Sequence, residues 1–138
     1  MTWFVWALLS ALFAGLTAIL AKVGVEHVNS NLATAIRTVV ILIFAWSVAL
    51  FTKTQPLGSI ERRTWIFLVL SGFATGLSWL CYFRALQLGE ASQVAPVDKL
   101  SVVIAMVLAA IVLHERMTWH HWVGGTLIFV GAVVLAYA

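Results

Sequence analysis

Asp98 and Lys99 stand side by side ahead of an apolar run that lasts to Leu113. A charge inside a segment fit for lipid is costly unless it is paired or faces a cavity, so such residues are candidates for handling an ion or a substrate. Adjacent residues on a helix point about 100° apart, so Asp98 and Lys99 are not expected to share a face; one points inward while the other snorkels. Ser101, three residues after Asp98, can share its face. Desolvation favours the neutral form of a carboxylate and a nearby Arg or Lys favours the ionised form. Asp98 therefore has two roles open to it, proton carrier or ion-pair partner. Arg37 is placed about five residues inside its own apolar segment, roughly 8 Å deep. It can snorkel to the headgroups, balance Asp98, or meet an anionic group of a substrate.

Hydroxyl groups accompany these charges. Ser71, Thr75, Ser78 and Tyr82 are spaced by four, three and four, which puts them on one helical face. Ser10 and Thr17 line up in the same way, as do Thr34, Arg37 and Thr38. Such residues either bond back to their own helix or line a polar path. The rest of the chemical inventory excludes more than it offers. There is no nucleophile beside a base, no phosphate-binding glycine loop and no paired-acid motif, so no enzyme is expected. His27, His114, His120 and His121 read as loop residues, and adjacent His120 and His121 do not present one face to a metal. Cys81 is the single cysteine, which forbids an internal disulfide and suits a small packing residue. No metal or cofactor is expected.

The elements that must position these residues are apolar helices. The chain of 138 residues is 63% hydrophobic and 9% charged, with a mean hydropathy of +1.06. Globular chains carry about 25% charged residues. A net charge of +3 spread over scattered positions is not the clustered basic face of a nucleic-acid binder. A spanning helix needs about 20 apolar residues, and five segments meet that length, at about 3–21, 32–51, 65–86, 94–113 and 122–138. Open sheet edges cannot face lipid, so the fold class is all-α, a multi-pass membrane bundle of five transmembrane helices in one domain over 1–138. The first span, without a basic lead or a clear cleavage site, reads as retained.

The connectors are short. Asn29-Ser30-Asn31 offers an N-cap for the second helix. Pro96 is expected in the first turn of the fourth, where its missing N–H costs little. Gly72 and Gly76 form a GxxxG pair, Gly124 and Gly131 share a face of the fifth helix, and Ala11/Gly15, Ala14/Ala18 and Ala105/Ala109 are similar small pairs. Close packing within the chain is the expected use of these residues, ahead of a seam between copies.

Orientation is weakly marked. Loops on the N-terminal side carry Lys53, Arg62, Arg63 and Arg116; the other side has Lys22 and Arg84 at span ends, with Arg37 and Lys99 just inside. Loops alone favour an N-terminus in the cytoplasm, whereas all residues near span ends balance. Two topologies stay open: one fixed orientation, or insertion both ways with head-to-tail pairing. Trp3, Trp6, Trp46, Trp65, Trp119 and Trp122 belong to the N-terminal side, where they suit a headgroup belt.

From Arg84 to Gly131 the chain resembles a known family. The pattern Ala85-x3-Gly89-x-Ala91-x4-Pro96-Val97-Asp98-Lys99-Leu100-Ser101, then His114-Glu115-Arg116, Trp119, Trp122, Gly124-Gly125 and Gly131, is similar to the EamA domains of the drug/metabolite transporter superfamily, in the five-span, single-repeat branch. That resemblance implies one repeat of a ten-helix inverted-repeat transporter fold. The missing repeat would come from a second copy, antiparallel, or from a different chain. It further implies an exporter of small metabolites or drug-like molecules in a bacterial or archaeal cell membrane, working by alternating access. Pro96 and Glu115 would then set the two ends of the fourth helix, with Arg84 and Lys99 structural or gating. The alternative is a non-transporting subunit that stabilises a larger membrane complex.

Overall fold

A computed structural model describes residues 2–137. Met1, and Ala138 where the fifth span is expected to end, lie outside the described residues. The elements are α1 (Trp3–Val25), α2 (Ser30–Phe51), a 3-10 turn (Leu57–Ser59), α3 (Arg62–Leu88), α4 (Ala91–Asp98), α5 (Leu100–Val112) and α6 (Trp119–Ala136). No strand occurs among the described residues. Five stretches are long and apolar enough to cross a membrane, with α4 and α5 counting as one, Ala91–Val112. The chain is all-α and multi-pass.

The helices outrun their apolar runs. α1 continues past Lys22, and α3 begins at Arg62 rather than at residue 65. Long basic side chains can wind as helix while their heads reach water. The same effect corrects His120 and His121, which lie in the first turn of α6 and not in a loop. His121 closes a capping box: its Nδ1 accepts from the Thr118 N–H at 3.1 Å, with the Thr118 hydroxyl 2.7 Å away. Asn29 caps α2 as its sequence suggests, its Oδ1 accepting from the N–H of Asn31 at 2.9 Å and of Leu32 at 3.4 Å. α5 ends through His114, which takes the left-handed conformation at φ 53°, while the Glu115 N–H returns to the Ala109 carbonyl at 3.2 Å. Such a residue turns the chain away from the helix axis and is more often Gly or Asn.

The chain divides into two compact units. One gathers the first helix up to Lys22 with everything from Leu88 onward; the other is Val23–Gln87. In the second unit Val25, Phe83 and Leu86 are buried, together with Ser30 and Thr34. Gln87 finishes this end. Its amide nitrogen donates to the Val28 carbonyl at 2.9 Å and more weakly to Val25 at 3.5 Å. These acceptors lie at and just beyond the C-terminus of α1, where carbonyls lack a helical partner. Arg84 Nη1 donates to Gln87 Oε1 at 2.7 Å and orients the amide.

In the first unit α6 packs against both α4 and α5, with Ala132 and Gly125 buried. A Cβ at Gly125 would sit 3.2 Å from Met106 Cε and 3.4 Å from its Sδ. Lys22 Nζ donates to the Gly89 carbonyl at 2.8 Å. The glycines singled out by spacing behave otherwise: at Gly72, Gly76, Gly124 and Gly131 an added Cβ would meet nothing within 4 Å. Within its own unit, none of the four sits in a close contact. Gly125 does, because one residue along a helix is a rotation of about 100°, enough to turn Gly124 off the contact. Met106 ends in a flexible thioether, so Gly125→Ala should be close to neutral. Gly125→Leu should destabilise by about 1–3 kcal/mol through overpacking. Thermal melts in maltoside detergent separate the two, and equal melts would remove the close-packing account.

Candidate functional site

The fourth span is interrupted at one residue, where the helix tightens without unwinding. α4 stops at Asp98 and α5 starts at Leu100, with Lys99 at φ −70° and ψ −7° between them. Pro96 is the cause. It lies inside α4 rather than in its first turn, because Ala91, Ser92 and Gln93 wind as helix although they are not apolar. Deep in a helix proline removes one hydrogen bond and its ring crowds the preceding turn. Here the chain tightens after it: the Lys99 N–H reaches the Pro96 carbonyl and the Val102 N–H reaches that of Lys99, each at 3.0 Å.

The break changes the geometry of the charged pair. Lys99 Nζ lies 3.4 Å from Asp98 Oδ2, so the two do pair, contrary to the expectation for neighbours on a regular helix. The tightened turn and the four-carbon lysine stem bring them together. The Lys99 side chain is 55% exposed and that of Asp98 35%. Exposed pairs of this kind contribute little stability. Ser101 is exposed on α5.

The second unit holds the other charge. The Arg37 guanidinium carbon lies 4.5 Å from the Trp79 ring centroid and 5.3 Å from that of Phe83. Tyr82 interacts with it electrostatically. Both distances are within the range of a cation–π interaction. Arg37 and Tyr82 are half-buried, and Thr34, one turn before Arg37, is buried. Sequence reading missed this contact, since it depends on how α2 and α3 are rotated. The i, i+4 spacing of Trp79 and Phe83 was the available signal.

The hydroxyl stripe is less specific than its spacing suggests. Thr75 Oγ1 donates to the Ser71 carbonyl at 2.9 Å, Thr34 Oγ1 to Ser30 at 2.8 Å, and Thr38 Oγ1 to Thr34 at 2.8 Å. These are bonds back to the same helix, which spare a polar residue in lipid an unmet donor. Ser71, Thr75 and Ser78 are exposed along α3, Ser10 is exposed on α1, and Thr17 is half-buried. Cys81 is exposed too, so it is not a packing residue. A cleft of about 580 Å³ lies elsewhere, where Leu42, Trp46 and Leu50 of α2 meet Gln55, Pro56 and Ile60 of the following connector. No group of three or more potential metal ligands occurs among the described residues.

Comparison with known proteins fits this picture of polar groups on spanning helices. The chain is 53% identical over 136 residues, 98% of its length and 96% of the relative's, to a Sinorhizobium sp protein named "uncharacterized transporter in cobO 3'region". It is 26% identical over 83 residues, 60% of its length and 73% of the relative's, to a protein of Aeromonas salmonicida named "probable 4-amino-4-deoxy-L-arabinose-phosphoundecaprenol flippase subunit ArnE". No solved structure matches. The sequence model of the EamA-like transporter family matches residues 1–137, and the chain belongs to that family.

Proposed function

We propose that the protein is one repeat of a ten-helix transporter, a single domain over 1–138. Paired as a dimer in a bacterial or archaeal cell membrane, it exports small metabolites or drug-like molecules by alternating access. The interrupted fourth span carries this reading. Irregular helices place charged groups in transporter interiors, at sites formed between repeats. In this chain the break coincides with Pro96, Asp98 and Lys99. Asp98 and Lys99 act as a gate that opens when their pair separates. Ser101, with Ser10, Thr17, Thr34, Arg37, Ser71, Thr75, Ser78 and Tyr82, supplies polar positions along the path. Gly72, Gly76, Gly124 and Gly131, which have open space beside them, suit a seam with a second copy.

A second reading has its own support in the relative named as a flippase subunit. In that reading the chain is half of a two-chain assembly and does not transport alone. Purified protein in liposomes loaded with a mixed metabolite pool decides between them. Efflux of at least one solute, read by mass spectrometry against empty liposomes, is the expected result. Silence across the pool, together with one co-purifying membrane protein, would favour the subunit. Reporter fusions after Ala138 that appear on one side only would remove the antiparallel homodimer.

A further inference from the structure

We infer that Arg37, seated on Trp79 and Phe83, is an oxyanion-binding group. It takes the phosphate or carboxylate head of an amphipathic anion through the N–H edge of its guanidinium. The inference deepens the transport reading and rests on it for the ligand's role as substrate.

The observations are geometric. α2 begins at Ser30, so Arg37 lies seven residues along it, about 10 Å from its start. An arginine inside a span is costly unless it is paired or faces a polar space. In its own unit no carboxylate among the described residues forms an ion pair with it; it rests on the pair of rings, with Tyr82 interacting electrostatically. Cation–π contact offsets part of that cost. It also uses only the face of the planar group. Its five N–H donors lie in the plane, at the edge.

Snorkelling does not account for the position. α3 ends at Leu88, so Phe83 is nearer that end and Trp79 is one turn deeper. An arginine reaching for the headgroups would lie over or beyond Phe83. The guanidinium instead lies closer to Trp79, 4.5 Å against 5.3 Å. A fork fixed in this way matches the two oxygens of a carboxylate or phosphate, which a lysine ammonium cannot reproduce. The surrounding surface is apolar, with Ile36, Val40 and Leu80 exposed on α2 and α3, which selects an anion carrying an apolar body. The anion can come from a soluble organic solute or from a lipid headgroup.

The test is titration of the purified full-length protein in uncharged maltoside. Phenyl phosphate serves as the soluble probe, detergent-dispersed phosphatidic acid as the lipid probe, and benzyltrimethylammonium as the cation control, with binding read by tryptophan fluorescence. The expected result is binding of at least one anion and not of the cation, weakened about tenfold or more by Arg37→Gln, a loss of about 1.4 kcal/mol. Arg37→Lys keeps the charge and loses the fork, and should fall between the two; it also serves if Arg37→Gln fails to fold, as judged by circular dichroism. Binding of phenyl phosphate assigns a soluble anion, and binding of phosphatidic acid alone assigns a headgroup. Arg37→Gln with wild-type affinity, or no binding of either anion, overturns the inference. The titration requires no flux, so silent liposomes with intact anion binding would count against transport and not against this site. Efflux of cations unchanged by Arg37→Gln would do the reverse.

Discussion

Leu86→Ala is expected to lower the unfolding free energy by about 2 kcal/mol, the low end of the range for a buried leucine. Leu86 and Val25 are the largest fully buried side chains among the described residues. In a bilayer the unfolded helices stay in lipid, so the substitution does not forfeit transfer from water. What it forfeits is contact: the space left by the missing carbons has no atoms to fill it. Phe83, 3% exposed, and Thr34, 5%, belong to the same buried end of that unit, and the Gln87 bonds to Val25 and Val28 close it. Titration from maltoside into dodecyl sulfate, followed by helical circular dichroism, gives the free energy. Leu42→Ala on exposed α2 surface is the comparison and should change little. Equal losses at the two positions would show that the buried end is not where this unit gets its stability.

Pro96→Ala should have opposite effects on stability and on transport. Alanine is better than proline inside a helix by about 3 kcal/mol, and it restores an N–H that can bond the Ser92 carbonyl. Part of that gain should appear as a higher melting temperature, with slower amide exchange at residues 99–102 as the turn regularises. A straightened helix would then separate Asp98 from Lys99, since neighbours on regular helix point about 100° apart. If the break is a moving part, efflux from metabolite-loaded liposomes falls about tenfold or more, equivalent to about 1.4 kcal/mol. A variant that is stabilised and still transports at the wild-type rate would sink the gate assignment of Asp98 and Lys99.

What could be read from the sequence follows from the range of each physical cause. Five spans were legible because a stretch of about 20 apolar residues has one dominant explanation. Asn29 was legible as a cap because capping acts over three residues. The extents of α1 and α3 were not, since Lys22, Arg62 and Arg63 look like loop residues by polarity yet wind as helix. Pro96 was assigned to a helix start because Ala91-Ser92-Gln93 lacks the apolar signature of a span. The contact of Arg37 with Trp79 joins residues far apart in sequence and depends on helix rotation, to which spacing within one helix is blind. Rotation also separates Gly124 from Gly125. Fold class came from composition, then, while site geometry came from packing.

The exposed Cys81 on α3 gives the protein a built-in counter. With a single thiol in the chain, each copy can carry at most one label from a membrane-permeant maleimide. At full labelling the label count per particle therefore equals the number of copies, with no engineered residue. Crosslinkers of graded length across two such thiols would measure the separation of the α3 surfaces in a pair. That separation distinguishes parallel from head-to-tail assemblies in the native chain.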